Sequence, residues 1–346
     1  MDYFCIRQSW GADRPNAVSD AKAEAPPNKN TTYMNDTEKC TRRDFLRQSA
    51  LMAGGLALAS TPAKAARDIT KDWNSRKKSG FTLWQLPSHT NDIGNSYVFR
   101  TTKGKVIVMD GGRPVEANTL RGFIGALGNE VEAWFISHPH DDHMGALDSL
   151  LKNPQDLRIK HIYHSRMSEA FIRSEPTCEA RCRDFYHTLD HTSVPVTDIQ
   201  EPGQVFDFDD MHIKILSVAS AVTEHLCYNN ASMIMRVWDK KKTMVFLADA
   251  HVDCGNKALE GPYADDLNCE YLQMAHHGQQ GCTKEFYNSI RFRACLWPTP
   301  LWVWNNDTGK GYNTGPLQTI QTREWMKEKG ITEHHVTCTD GLWRLD

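Results

Sequence analysis

The chain has 346 residues, with 40 Lys and Arg, 43 Asp and Glu and a formal net charge of −3. Its hydrophobic fraction of 40% is that of an ordinary globular protein, which excludes a collagen-like, coiled-coil or wholly disordered chain. The weak negative charge argues against a large nonspecific nucleic-acid-binding surface. All 15 histidines lie after residue 88, so the chain divides into a leader without histidine and a histidine-rich body.

The leader contains an ordered set of export features. Arg42-Arg43 precedes a mildly apolar stretch over 50–59, and Ala63-Lys64-Ala65 follows. This order resembles a twin-arginine signal peptide with its cleavage site, which implies the twin-arginine export machinery as a partner and a periplasmic or extracellular location. The apolar stretch is much shorter than the roughly 20 residues that cross a bilayer, and no other segment is longer, so we expect no transmembrane anchor.

The expected domain organisation is simple. Residues 1–65 form the leader, 66–80 a short linker and 81–346 a single large domain. Met34 lies at a normal signal-peptide distance from Arg42, and we expect it to be the true translation start.

Strand-like and helix-like segments alternate through the body, which predicts an α/β layered domain. Two strands over 94–100 and 105–109 form a hairpin, and an apolar strand over 133–137 follows a helix. The other predicted strands are 159–164, 213–218, 232–237, 244–248, 271–275, 294–297, 335–338 and 342–345, and the predicted helices are 118–127, 145–151 and 317–329.

Three imidazoles and two carboxylates lie within six residues directly after the strand at 133–137, in the sequence His-Pro-His-Asp-Asp-His over 138–143. Imidazole nitrogen and carboxylate oxygen together suit Zn²⁺ and similar divalent ions. In an extended segment His138 and His140 point to one side, and Asp142 and His143 at the start of the next helix can address a second ion. We therefore predict these four side chains as metal ligands.

This His-x-His-x-Asp-His motif resembles the signature of the metallo-β-lactamase superfamily, and further motifs follow in the same order. Asp110 stands in Met-Asp-Gly-Gly, Asp249 ends the strand at 244–248, and His276-His277-Gly278 ends the strand at 271–275. The resemblance covers roughly 81–346 and implies an αββα sandwich, two mixed β-sheets flanked by helices, with the metals at one edge.

The resemblance also implies a role for each motif residue. Asp249 would bridge two divalent ions, Zn²⁺ or alternatively Mn²⁺, and Asp110 would orient a ligand histidine without touching metal. Of the adjacent pair we expect His276 to be the metal ligand, because it follows the strand directly, and His277 to face the substrate. The exchange of these two roles is the alternative. Either His277 or Asp142 would assist proton transfer to a metal-activated water.

One departure from the superfamily pattern concerns the first metal. A third histidine for this site would stand where the chain has Tyr228-Asn229-Asn230, and His225 is displaced from that position by several residues. We therefore expect a weak first site, or strong binding of one metal only.

The segment Asn229-Asn230-Ala231-Ser232 and the His-His-Gly ending resemble one subgroup, which contains the metallo-β-lactamase-like domain of the competence DNA-uptake channel and phosphorylcholine esterases. That likeness implies phosphodiester cleavage. Candidate substrate-binding residues are Asn230, Trp302 and Trp304, because aromatic rings can stack on a base or sugar or enclose a quaternary ammonium; the alternative is a loop that covers the sheet edge.

The resulting hypothesis is an exported, metal-dependent hydrolase of a phosphodiester in nucleic acid or cell-envelope material. The alternatives are a lactone or β-lactam hydrolase, and a non-catalytic ligand-binding module with an incomplete metal site. Eight cysteines follow the leader, and the sequence fixes neither a disulfide pairing nor an oligomeric state.

Overall fold

The computed structural model describes residues 79–219 and 225–346. Arg42-Arg43, the cleavage segment and Met34 lie outside the described residues, so the export signal and the translation start stay predictions. Within the described ranges, no helix combines the length and apolar character that a membrane crossing requires.

The strands form where apolar residues cluster. Those buried on both faces are continuous apolar runs, such as Val-Ile-Val-Met before Asp110, whereas the first strand alternates between fully and partly buried positions. The strands of the described chain are β1 (Phe81–Gln85), β2 (Ser96–Thr101), β3 (Val106–Asp110), β4 (Glu130–Val131), β5 (Ala133–Phe135), β6 (Arg158–Ile159), β7 (Ile162–His164), β8 (Val196–Asp198), β9 (Val205–Phe208), β10 (Met211–Ile215), β11 (Met235–Trp238), β12 (Thr243–Phe246), β13 (Tyr271–Gln273), β14 (Ala294–Trp297), β15 (Glu333–Val336) and β16 (Trp343–Leu345).

The helices connect these strands and cover the sheets. Three short 3₁₀ turns accompany them, at Pro114–Glu116, Ala264–Leu267 and Ala275–Gly278. The α-helices of the described ranges are α1 (Ala117–Gly125), α2 (Asp141–Lys152), α3 (Glu169–Ser174), α4 (Pro176–His191), α5 (Cys227–Asn230), α6 (Val252–Glu260), α7 (Lys284–Ser289), α8 (Leu301–Trp304), α9 (Thr319–Glu328) and α10 (Thr337–Asp340).

Two seven-stranded mixed sheets share one plan. The first has the order β16-β1-β2-β3-β5-β7-β8 and the second the order β15-β14-β13-β12-β11-β10-β9. From β1 to β8 in the first sheet and from β9 to β15 in the second, the pairing starts antiparallel and becomes parallel, at β3–β5 and at β12–β13. Strands β4 and β6 form a separate parallel pair.

Three apolar layers hold the fold together. The middle layer lies between the sheets, where the ring of Phe246 packs edge to face on Tyr97 and Phe99 with centroids 4.8 and 5.7 Å apart. A second layer joins the outer face of the first sheet to α1, α2, α3 and α4, and a third joins the second sheet to α6, α7 and α9. The αββα sandwich predicted from the sequence is confirmed.

The change from antiparallel to parallel pairing decides where the polar motifs meet. Asp110 ends β3, the motif over 138–143 follows β5, Asp249 follows β12, and His276-His277 follows β13. Because parallel strands deliver their carboxyl ends to one edge of a sheet, all four motifs arrive at the same edge of the sandwich.

The helix after the histidine motif begins earlier than its apolar pattern indicates. The apolar pattern indicates 145–151 and the metal-ligand hypothesis puts Asp142 and His143 at the helix start; α2 starts at Asp141, with His140 as its N-cap residue. Two carboxylates in its first turn, Asp141 and Asp142, favour this start because the N-terminal end of a helix attracts negative charge. The rigid backbone of a helix therefore carries both Asp142 and His143.

Candidate metal centre

Two acidic and two imidazole side chains converge at the edge of the sandwich. Asp142, His143, Asp249 and His277 are buried, and each offers an atom within 4.8 Å of the others. His277 Nε2 lies 2.9 Å from Asp142 Oδ2 and 3.5 Å from Asp249 Oδ2. His143 Nε2 lies 3.1 Å from Asp249 Oδ1 and 3.8 Å from Asp142 Oδ2. We call these four residues the second-metal group.

Both imidazoles of this group are held by their far nitrogen. His277 Nδ1 donates to the carbonyl oxygen of Pro298 at 3.0 Å, and His143 Nδ1 donates to Asp110 Oδ2 at 2.8 Å. The proton used there leaves Nε2 of each neutral ring as an acceptor that faces two carboxylates. Acceptors that converge in this way need a proton or a cation between them, and a divalent ion fits this donor set.

The carboxylate of Asp110 is itself fixed by the first sheet. It accepts hydrogen bonds from Asn95 Nδ2 at 2.7 Å, Ser137 N at 2.8 Å and Ser137 Oγ at 2.9 Å. The Trp134 indole donates to the Asp110 carbonyl at 2.7 Å, and the backbone of Asp110 has a φ of 55°. This network lets Asp110 orient the His143 ring from inside the core.

A second set of side chains shares Asp249. His138, His140 and Asp249 are buried and also offer atoms within 4.8 Å of one another; we call them the first-metal group. His138 Nε2 lies 3.0 Å from His140 Nδ1 and 3.8 Å from Asp249 Oδ2. On its other side, His140 Nε2 lies 3.3 Å from Glu175 Oε2. Asp249 is thus common to both groups.

Local backbone conformations bring Asp249 and His277 into place. Ala248 has a φ of 51°, and its amide and carbonyl are held by the buried side chain of Gln273. His276 and His277 have φ values of 51° and 54°, a region that non-glycine residues adopt at a cost of roughly 1–3 kcal/mol each. Gly278 follows at 78°, where a Cβ atom would lie 2.5 Å from the Trp297 ring.

The charges of the groups reinforce one another. Burial raises the pKa of Asp249, but the charges of His143 and His277 outweigh it and hold that pKa well below its usual range. Burial likewise lowers the pKa of His277, but the charge of Asp249 and the hydrogen bond to Asp142 raise it to about 9. For the neighbouring His276, burial dominates and lowers the pKa to about 4.

A test of fit comes from the buried polar atoms. Within the described ranges, His143 Nε2 and both carboxylate oxygens of Asp249 have no hydrogen-bond partner of acceptable geometry. Such atoms cost free energy unless something else satisfies them. They point into the two groups, so the residues present fit divalent metal ions that share Asp249.

The adjacent histidines take different places. His277 belongs to the second-metal group, whereas His276 lies beside it, with Nε2 3.8 Å from Asp249 Oδ2. The geometry therefore favours His277 over His276 as the ligand from this motif.

The candidate substrate residues have other contacts. The Asn230 amide donates to the carbonyl of His225 and accepts from Cys254 N, both at 2.9 Å, and Ser232 Oγ accepts from Asp249 N at 3.2 Å. The segment 229–232 thus supports the Asp249 turn. Trp304 packs on Trp297 and under the Arg323 guanidinium, and Trp302 is partly buried on the same short helix.

Sequence reasoning missed several residues around these groups. Asn95 and Ser137 carry no pattern of their own, although Ser137 directly precedes the motif. Glu175 lies in a polar, helix-prone stretch without metal-ligand spacing, and Tyr228 was noted only as a departure from the superfamily pattern. None of the eight cysteines of the described residues forms a disulfide, and Cys178 lies within 4.8 Å of both His140 and Glu175.

Known proteins are similar to this chain at the level of family and of fold. A family model described as the metallo-beta-lactamase superfamily matches residues 89–275, more than half of the chain. No curated protein sequence matches significantly.

Several solved structures are similar in fold at low sequence identity. The metallo-beta-lactamase fold protein YhfI from Bacillus subtilis is 16% identical, with a TM-score of 0.47 over 78% of this chain and 100% of that one. CmlA, a diiron beta-hydroxylase from Streptomyces venezuelae, is 11% identical with a TM-score of 0.48, over 78% of this chain and 54% of that one. Unliganded yeast PDE1 is 9% identical with a TM-score of 0.42, over 75% and 97%.

The order of the motifs, the two sheets that bring them together and the family match lead to one conclusion. The chain belongs to the metallo-β-lactamase superfamily.

Proposed function

We propose that this protein is a hydrolase that depends on two divalent metal ions. The observation that carries the proposal is the position of Asp249, whose carboxylate lies between the first-metal and the second-metal group and within 3.1–3.8 Å of four imidazole nitrogens. A buried carboxylate shared in this way has no structural purpose that a hydrogen-bonded neutral side chain would not serve better.

The residues that would hold the ions follow from the two groups. His138, His140 and Asp249 would hold the first ion, and Asp142, His143, Asp249 and His277 the second. Bound divalent ions supply a nucleophile at neutral pH, by lowering the pKa of water, and stabilise negative charge on the substrate. The protein orients the imidazoles through their far nitrogens. Asp142, which faces both His143 and His277, is our candidate for assisting proton transfer.

We further propose a phosphodiester as substrate, in nucleic acid or cell-envelope material. Support comes from Asn229-Asn230-Ala231-Ser232 and His276-His277-Gly278, the two motifs that resemble the competence-channel and phosphorylcholine esterase subgroup. Zn²⁺ is the proposed metal, with Mn²⁺ as the alternative, because imidazole and carboxylate ligands suit both.

A substrate panel tests the function. The chain is stripped of metal with a chelator, reloaded with Zn²⁺ or Mn²⁺, and assayed on bis(p-nitrophenyl) phosphate, single-stranded DNA, an acyl-homoserine lactone and a chromogenic cephalosporin. We expect metal-dependent hydrolysis of the phosphodiester. Faster turnover of the lactone or cephalosporin would replace the substrate class, and no turnover of any substrate by protein with no more than trace metal would leave a non-catalytic module.

Export through the twin-arginine machinery is a separate proposal, which rests on Arg42-Arg43 and the segment up to Ala65. Cell fractionation of an Arg42→Lys, Arg43→Lys double variant tests it. We expect the variant to stay in the cytoplasm as precursor while the wild type is processed and exported. Normal export of the variant would refute the assignment.

A further inference from the structure

The two imidazole nitrogens of His140 face in different directions. Nδ1 lies 3.0 Å from His138 Nε2, within the first-metal group, and Nε2 lies 3.3 Å from the carboxylate of Glu175. Only one nitrogen of an imidazole can carry the proton while the other binds a cation. A carboxylate at Nε2 therefore fixes the proton there and leaves Nδ1 for a metal.

We propose that Glu175 is a positioning residue for the first metal, which orients His140 from outside the ligand set. The inference rests on the proposed function, because it requires that His140 bind a divalent ion. A carboxylate behind a ligand histidine fixes the orientation of the ring and raises the basicity of the ligating nitrogen. Glu175 thus does for His140 what Asp110 does for His143.

Glu175 is held in turn by Tyr228, which belongs to the segment where the superfamily pattern leads us to expect a third histidine. Its Oε1 accepts a hydrogen bond from Tyr228 N at 3.3 Å. The Tyr228 ring stacks on the His140 ring, with centroids 5.2 Å apart and planes 13° apart, and its hydroxyl donates to the carbonyl of Ile172 at 2.9 Å. His140 is therefore fixed on one face by an aromatic ring and at one edge by a carboxylate.

The backbone around Glu175 is anchored to the metal-bearing helix. Glu175 separates α3 from α4 and precedes Pro176, which ends one helix and starts the next. Arg181 on α4 binds Asp141 on α2 through Nη2 at 2.8 Å and Nε at 3.1 Å, and Thr188 donates to Asp148 at 2.8 Å. These contacts set the distance between Glu175 and the motif on α2.

Metal affinity of two variants on one helix tests the inference. Wild type, Glu175→Gln and Glu179→Gln are made metal-free and titrated with Zn²⁺ against a chromogenic chelator. Glu179 lies one turn further along α4, where it pairs with Arg183 at 2.8 Å, and serves as the matched control. We expect Glu175→Gln to weaken one of two bound ions by about 10- to 100-fold and leave the other unchanged. The control should bind both ions as the wild type does.

The same titration separates this inference from the proposed function. Wild-type affinity for both ions in Glu175→Gln would overturn the inference alone, whereas a wild type that binds no divalent ion would overturn both. A Glu175→Ala variant, followed by thermal unfolding without metal, shows whether any loss of affinity reflects loss of the fold.

The nearby thiol provides a second readout. Cys178 lies close enough to His140 and Glu175 to bind a metal together with them. If Glu175 only positions His140, the Co²⁺-loaded protein lacks an intense thiolate-to-cobalt band in the near ultraviolet, and Cys178→Ser leaves its spectrum unchanged. Such a band, lost in Cys178→Ser, would make Cys178 and Glu175 direct ligands and overturn the positioning role.

Discussion

His143 and His140 lie three residues apart, yet two different parts of the fold support them. Behind His143 stands Asp110, 1% exposed, whose carboxylate accepts hydrogen bonds from Asn95, Ser137 and His143 itself. Behind His140 stands Glu175, whose side chain is 19% exposed and lies at a junction between two helices. Asp110 belongs to a strand of the first sheet, whereas Glu175 lies between two helices that pack on that sheet.

This difference separates stability from metal affinity. A carboxylate inside the core takes part in every folded molecule, loaded or not, so its removal affects folding as well as the metal. A carboxylate at a partly exposed helix junction contributes less to folding, because water can replace its partners. We therefore expect changes behind His143 to affect both properties and changes behind His140 to affect mainly the metal. Four predictions test this expectation.

The largest loss of metal binding is expected at Asp249, the residue that belongs to both metal groups. Asp249→Ala removes the carboxylate shared by the two groups and should abolish binding of both ions. Removal of a residue that only hydrogen-bonds to a ligand lowers metal affinity by about 10- to 100-fold, and the loss in Asp249→Ala should be larger. Metal content after dialysis, measured by mass spectrometry, checks this. One full equivalent of tightly bound metal in the variant would show that Asp249 is not a shared ligand.

Asp110→Asn should lower the stability of the metal-free protein more than Glu175→Gln does. Asp110 Oδ2 accepts hydrogen bonds from Asn95, Ser137 Oγ and His143, and an amide NH₂ in its place would face these donors. We therefore expect a loss of about 2–4 kcal/mol of unfolding free energy in the metal-free protein. The matched change Glu175→Gln should cost less than about 1 kcal/mol. Urea unfolding of both metal-free variants measures the difference. Equal losses of unfolding free energy would show that Asp110 and Glu175 contribute equally to folding, contrary to this expectation.

A histidine outside both metal groups should make the stability next to α4 depend on acid. His164 ends β7, and its ring centroid lies 5.8 Å from that of Tyr186 on α4. Burial lowers the pKa of His164 to about 4, so this ring stays neutral in the folded protein after it has gained a proton in the unfolded chain. Its contribution to stability is complete above about pH 6.5 and is lost as the pH falls toward 4, by about 3 kcal/mol in total.

The measurement is urea unfolding of the metal-free wild type and of His164→Gln at several pH values. The difference between the two proteins should shrink as the pH falls through this window. A constant difference would mean that His164 gains its proton equally easily in both states.

The smallest effect concerns the ring stacked on His140. Tyr228→Phe removes only the hydroxyl that donates to Ile172, which should cost about 1 kcal/mol of stability and leave both ions bound as before. Tyr228→Leu also removes the stacked ring, and we expect it to weaken the first ion while the second stays unchanged. Zinc titration and thermal unfolding of both variants check this. A weaker second ion in Tyr228→Leu would show that the two supports are coupled.

The sequence predicted the fold, and it singled out most of the side chains that the structure brings together at the candidate site, because both leave local signals. A buried strand is an apolar run, and a carboxylate such as Asp249 directly after one requires a partner. Ligands at neighbouring positions, as in 138–143, reveal themselves by spacing alone. The apolar pattern alone puts the start of α2 four residues too late, because polar candidate ligands occupy its first turn.

What the tertiary structure decided is the arrangement of groups that are distant in sequence. Glu175 has no motif, and it meets His140 only because α4 is anchored to α2 through Arg181 and Asp141. Whether His276 or His277 faces the second-metal group depends on the left-handed backbone of both residues, which no spacing rule predicts. The sequence by itself determined which chemistry the chain carries, since residue type and local spacing set the ligands. Only the packing of helices on sheets decided how each ligand is held, because hydrogen bonds to a ligand's far nitrogen come from whatever the fold places behind it.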